Sequence, residues 1–336
     1  MRKIFYIILL CFLYDNSWAR QLSLGLPIEC NVGHDCWVIF YPDNDSSSGI
    51  SDYACQYQTY DTHNGTDFGL PDLTWVNKNI HVLAAAAGKV VRVRDGMIDV
   101  KYEKGKLDSI VDGRECGNYV LLEHDMGYKT LYCHMRKNSF MVMEGDMVEK
   151  GEPLGYVGLS GKTTFSHVHF TVKDHANKDV DPFTGKLISQ QSGCHDTSNH
   201  MWDNDVLPLL QYQQGVISGV GFAAEQVNIA GIRYGRYDKP IISSGMEEFY
   251  IWADLWKMPK GAKVHLLLKN PQGTTIIDKT YTIHDDTIHT FRMAKADAKT
   301  QGTTWPWLLG YYHLNVTSYI NGKEYFSMNN KYLMEY

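Results

Sequence analysis

The chain has 336 residues, of which 44% are hydrophobic and 21% charged, enough apolar material for a core and no sign of global disorder. Its net charge of −6 gives no broad attraction to nucleic acid or anionic lipid, so neither is expected as a partner. The length suits two domains better than one, and 22 Tyr and 29 Gly without convincing helical stretches lean toward β structure.

Arg2 and Lys3 precede an apolar run from Ile4 to Tyr14, and Ser17-Trp18-Ala19 supplies a small-x-small cleavage site. The run is too short to span a bilayer. Residues 1–19 are therefore expected to be a signal peptide, with the mature chain starting at Arg20 in the periplasm or outside the cell and making no stable membrane insertion. Residues 20–60 are polar and turn-rich, and are expected to form a cysteine-bearing segment packed on the domain that follows. From about residue 80, short apolar runs alternate with Gly- and Asp-containing turns. Lys89–Arg94, Tyr119–Glu123, Lys129–His134, Leu154–Gly158 and His167–Val172 read as strands. The alanines at 84–87 do not predict a helix, because Gly88 and a β-branched run follow them.

Asp181-Pro182-Phe183 closes this region, which is taken as a domain over 61–188. Residues 189–205 lose periodicity and are expected to be a linker. Strand patterns return over 206–336, including two runs flanking Asn321-Gly322, a strong hairpin signal. The expected fold class is mainly β: a small antiparallel β-sheet domain with a groove, then a β-sandwich-like C-terminal domain.

Loss of the signal removes Cys11 and leaves Cys30, Cys36, Cys55, Cys116, Cys133 and Cys194, an even set consistent with disulfides in an exported chain. Cys30 and Cys36 are close enough for a local bridge. Cys116 and Cys133 flank two strand-like runs, and Cys55 with Cys194 is left by elimination. Sequence alone does not choose among the pairings, and the lack of a C-x-x-C pair disfavours a cysteine metal site.

Two short patterns carry the candidate chemistry: His63-Asn64-Gly65-Thr66-Asp67 and His167-Val168-His169. Each alone is a weak signal, and His175-Ala176-Asn177-Lys178-Asp179 repeats the first spacing as a surface decoy. On a strand, however, residues i and i+2 share a face, so His167 and His169 project together. His63 and Asp67 sit in a Gly-containing loop that can aim both side chains at one point. Two imidazoles and a carboxylate, with water in the fourth position, form a catalytic zinc set. There is no H-E-x-x-H, which excludes the helix-borne zinc peptidase architecture.

Over roughly residues 53–183 the sequence resembles the LytM/lysostaphin-type zinc metallopeptidases, also called M23 peptidases. The resemblance rests on ordered matches: His63-x-Gly65-x-Asp67-Phe68, Gly117-Asn118-Tyr119-Val120, Tyr132-Cys133-His134-Met135, Gly145-Asp146-x-Val148, Leu154-Gly155-x-Val157-Gly158 and Ser166-His167-Val168-His169-Phe170. It implies one Zn2+ per chain held by His63, Asp67 and His169, with His134 and His167 as catalytic histidines. Cys133 stands where these enzymes often have Gly, which fits a disulfide. Asn118 is weighed equally as a substrate contact and as a turn residue, and His124, His175 and His195 as structural or surface residues.

The implied function is zinc-dependent endopeptidase cleavage of peptide bonds in bacterial peptidoglycan, whose peptide is the expected partner. The alternatives are a non-enzymatic wall-binding protein or activator of other wall hydrolases, and a secreted protease acting on a foreign wall or a Gly-rich protein. The partner of the C-terminal domain is not indicated.

Overall fold

The computed structural model describes residues 22–188, 190, 194–286, 288–299 and 306–336. The signal peptide expected at 1–19 lies outside the described residues. Among the described residues, no helix is long and apolar enough to cross a membrane.

The first half contains β1 (Trp37–Phe40), β2 (Thr66–Gly69), β3 (His81–Leu83), β4 (Gly88–Arg94), β5 (Asn118–Glu123) and β6 (Lys129–Met135). It continues with β7 (Met147–Val148), β8 (Pro153–Tyr156), β9 (His167–Lys173), β10 (Asp179–Asp181) and β11 (Lys186–Leu187). A single antiparallel sheet runs in the order β1-β2-β9-β6-β5-β4-β7, with β10 and β11 added beyond β9, while β3 and β8 pair separately. Alternation builds its core: Val120 and Leu122 of β5, Tyr132 of β6, and Val168, Phe170 and Val172 of β9 turn to one buried face. Ala84–Ala86 follow β3 as a buried non-helical stretch leading into Gly88, as the β-branched run predicts.

The second half contains β12 (Val216–Ala223), β13 (Glu248–Trp256), β14 (Lys263–Lys269), β15 (Thr275–Thr282), β16 (His289–Asp297), β17 (Gly310–Ile320) and β18 (Lys323–Met334). A short helix, α2 in the chain after α1 (Asp108–Val111), spans Ile229–Arg233. One sheet is ordered β12-β13-β16 and the other β15-β14-β17-β18. Phe249, Ile251 and Leu255 of the first meet Val264, Leu266, Leu268 and Val316 of the second in one core, which makes this half a sandwich. Asn321 and Gly322 both take positive φ, the geometry of the two-residue hairpin turn between β17 and β18.

The stretch expected as a linker over 189–205 is not one in its described part. Met201, Trp202, Val206 and Leu210 are buried in the first core, and Trp202 packs on Phe68, Phe170 and Phe183. The main chains of Leu24 and Met201 are hydrogen bonded at 2.7 Å. These apolar residues lack strand or helix spacing, so periodicity misses them, yet they close the open side of the first core. The chain passes to the sandwich after Tyr212, which stacks on Tyr41. The halves then meet through an apolar cluster of Trp37, Ile39 and Phe40 with Val216 and Trp256, and Lys257 Nζ donates to the Thr59 carbonyl at 2.9 Å.

Three disulfides join Cys30 to Cys36, Cys55 to Cys194 and Cys116 to Cys133. The last ties the loop before β5 to β6, beside the cleft described next.

Candidate metal centre and cleft

Antiparallel register assembles the site. Asp67 of β2 lies directly opposite His169 of β9, and His169 lies opposite Cys133 of β6. Because Phe68, Val168 and Phe170 face the core, Asp67, His167 and His169 face the other way, into a cleft. His63 arrives from the loop before β2, four residues ahead of Asp67. Gly65 permits this packing: a Cβ there would stand 2.7 Å from His169 Cε1 and Nε2 and 2.7 Å from the Phe170 carbonyl oxygen. A side chain at 65 would push the strand carrying His169 away.

His134 reaches the cleft by a different route. Strand alternation after Cys133 would send it to the opposite face. Between Asn118↔Met135 and Val120↔Tyr132, however, β6 holds one residue more than β5, and His134 has φ +60°. This bulge re-aims the imidazole into the cleft.

Hydrogen bonds fix the direction of the ring nitrogens. His63 Nδ1 lies 2.7 Å from the Tyr41 carbonyl oxygen, His134 Nδ1 2.7 Å from that of Ser160 and His167 Nδ1 3.0 Å from that of Phe165. A carbonyl can only accept, so each Nδ1 carries the proton and donates, and each Nε2 presents a lone pair. His169 instead engages Thr171 Oγ1 through Nε2, at 2.9 Å, and turns Nδ1 inward.

The inward atoms converge. His63 Nε2 is 3.1 Å from Asp67 Oδ1 and 3.2 Å from His169 Nδ1, and His169 Nδ1 is 2.9 Å from Asp67 Oδ1. Ligand atoms around a tetrahedral zinc at about 2.05 Å would stand about 3.3 Å apart. Bare nitrogen lone pairs facing a carboxylate at these distances repel one another unless a cation or protons lie between them. The donor set, its spacing and its outer hydrogen bonds therefore fit a zinc ion held by His63, Asp67 and His169. His134 and His167 lie to one side, with ring centroids 4.7 Å apart, and His167 Nε2 is 3.5 Å from Asp67 Oδ1.

Burial acts against charge throughout. It would raise the Asp67 carboxyl, but the neighbouring His63 and His167, with hydrogen bonds from His169 and His63, hold it well below the usual range. Burial lowers His134 well below an ordinary histidine, and the nearby His167 and His169 add to the effect. His167 is lowered too, again chiefly by burial. Both rings are thus neutral near pH 7.

The cleft has a volume of about 590 Å³, within the range of ligand pockets. Its walls come from three parts of the chain. Phe40 and Tyr60 precede the domain expected at 61–188, and Tyr60 stacks on His63 at 4.3 Å. Phe165 stacks on His167 at 4.2 Å. Arg233, Trp256 and Ile288 come from the sandwich. Trp256 is buried in the apolar cluster that joins the two halves and also lines the cleft. None of these wall residues sits in a recognisable spacing, so sequence offers no signal for them.

Asn118 does not line this cleft. It is wholly buried, accepts from the Met97 N–H and donates to the Met97 and Met135 carbonyls. With its amide consumed by main chain, it holds a turn, which is the second of the two roles weighed for it. His124 is buried between Ala87 and Thr130, while His175 and His195 are exposed.

Residues 61–182 match the profile of Peptidase family M23. Over 125 residues the chain is 31% identical to the peptidoglycan DD-endopeptidase ShyB of Vibrio cholerae, covering 37% of this chain and 23% of that protein. Over 115 residues it is 30% identical to the DD-carboxypeptidase/endopeptidase Mpg of Neisseria meningitidis serogroup B, covering 34% and 21%. The chain thus spans less than a quarter of the length of either relative. Among solved structures, a zinc containing peptidase from Vibrio cholerae superposes with a TM-score of 0.30 at 23% identity, covering 48% of this chain and 39% of that one.

Proposed function

Since residues 61–182 belong to peptidase family M23, we propose that the chain is an exported zinc-dependent endopeptidase that hydrolyses peptide bonds of bacterial peptidoglycan. The observation that carries the reading is the set of inward imidazole lone pairs gathered around the Asp67 carboxylate at the floor of the cleft. A bound zinc ion would supply Lewis-acid polarisation of the scissile carbonyl and a readily ionised water.

His63, Asp67 and His169 hold that ion. Tyr41 and Thr171 fix the orientation of the two ligating rings. His134 and His167 present Nε2 on the same side of the centre. There one of the two rings would accept the proton of the attacking water, donate a hydrogen bond from that nitrogen to the developing oxyanion, and hand the proton on to the leaving amine as the peptide bond breaks. The main-chain carbonyls of Ser160 and Phe165 hold both rings in the tautomer this needs. Phe40, Tyr60, Phe165 and Trp256 make walls suited to a peptide rather than to bulk water. Three disulfides fit an oxidising compartment, in keeping with export.

The test is metal analysis of the purified mature protein together with mass spectrometry of fragments released from purified cell wall. One zinc per chain and a defined set of cut peptide bonds are expected. A metal-free protein that releases nothing would favour a wall-binding or activating role instead.

A further inference from the structure

Resting on the peptidase reading above, we infer that Arg233 forms a carboxylate-binding subsite on the wall that the sandwich adds to the cleft. Arg233 closes helix α2 and lines the cleft together with Trp256. Its Nε–H donates to His289 Nδ1 at 2.9 Å, so that nitrogen is the acceptor and His289 carries its proton on Nε2. That proton goes to Asp254 Oδ1 at 2.6 Å, and Ser218 Oγ donates to the other carboxylate oxygen at 2.6 Å. The His289 and Asp254 side chains are both 3% exposed. The Trp256 ring stacks on His289 with centroids 4.0 Å apart.

This buried chain of donors orients the guanidinium through one nitrogen and leaves its forked end uncommitted. Among the described residues, no hydrogen bond or ion pair engages either terminal nitrogen of Arg233. A planar fork held rigid at a cleft wall matches the geometry of a carboxylate, which takes two parallel N–H bonds. The subsite is within reach of the chemistry. Trp256 is 4.9 Å from Phe165, which stacks on His167, and the guanidinium lies 5.8 Å from the Trp256 ring. Arg233 is therefore within about 15 Å of His167, a reach of four or five residues of extended peptide at about 3.3 Å each. The substrate class is accordingly a peptide carrying a free carboxylate a few residues from the bond that is cut. The sandwich supplies specificity to the reaction. Arg233 is the binding residue, and His289 and Asp254 position it.

The experiment uses the zinc-loaded full chain and cross-linked stem-peptide dimers purified from bacterial wall, either untreated or with their carboxylates converted to amides by carbodiimide coupling. The wild type is expected to cleave the acid form with kcat/KM at least about tenfold above the amidated form, chiefly through KM, as loss of one charged hydrogen-bonded contact implies. Arg233→Gln should bring the acid-to-amide ratio close to one, and Arg233→Lys should keep part of it. A wild-type ratio of one overturns the subsite, as does a ratio that Arg233→Gln leaves unchanged, while the peptidase reading stands in both cases. Should Arg233→Gln fail to fold, the wild-type ratio and Arg233→Lys still decide. Cleavage of neither form by the wild type overturns the peptidase reading and this subsite with it.

Discussion

Asp67 and His169 are direct cross-strand partners, and Asp67 Oδ1 lies 2.9 Å from His169 Nδ1. One is an outward position of β2 and the other of β9, so the pair exists only because two segments 102 residues apart share a register. A slip of β9 by one residue would turn His169 toward the core and leave Asp67 without it.

The pair sets the first prediction. Asp67→Asn removes the charge from the donor set but keeps its shape. It should abolish zinc retention after dialysis, measured by metal analysis, and lower wall cleavage by about a thousandfold or more. Circular dichroism should stay native. Undiminished cleavage by this variant would sink the ligand assignment.

Gly65→Ala tests the close approach. The new methyl would press on the His169 ring and the Phe170 carbonyl at 2.7 Å. Overpacking of this kind costs about 1–3 kcal/mol. A fall in thermal midpoint together with weaker zinc binding is expected. A variant that loses stability but binds zinc as tightly as the wild type would show that the ligand rings adjust without consequence.

His134→Asn separates chemistry from metal holding. Asn tolerates the positive φ at this bulge better than most residues, so the backbone should survive. Zinc content should be unchanged while kcat falls by about a hundredfold or more, the usual scale for loss of a proton-transfer group. Loss of zinc in this variant would instead make His134 a ligand.

Asp181 gives a prediction about pH and stability rather than rate. Burial pushes its carboxyl up to about 6, with Asp52 adding to the effect against hydrogen bonds from Asn44 and the Phe183 N–H. In the unfolded chain it should ionise near 3.9. A carboxyl raised on folding favours the folded state while protonated. Its contribution is whole below about pH 4 and is lost as pH rises through 6, amounting to roughly 3 kcal/mol by neutral pH. Asp181→Asn needs no ionisation. The stability of the variant relative to the wild type, from urea unfolding, should therefore rise between pH 4 and pH 7. A difference that stays flat with pH would contradict the raised value.

Much of the site is legible in the chain because its signals are local. The H-x-H spacing has meaning on any strand, and the turn-forming Gly65 marks a loop able to aim His63 and Asp67. Short separations suggest the bridges Cys30–Cys36 and Cys116–Cys133, with Cys55–Cys194 left over, but the choice among pairings is made only in the folded chain. Asn118 misleads because a polar residue beside a motif looks the same whether its amide faces substrate or main chain. Residues 189–205, expected as a linker, mislead in their described part because burial of Met201 and Trp202 leaves no periodic trace.

The sequence by itself determined the β class and marked out His63, Asp67 and His169 as candidate ligands, since strand patterning and the two short motifs depend on neighbours within a few residues. Only the tertiary structure decided that a bulge turns His134 into the cleft and that the sandwich brings Arg233 and Trp256 to its wall. Those outcomes come from strand register and from packing between distant segments, which leave no spacing in the chain to read.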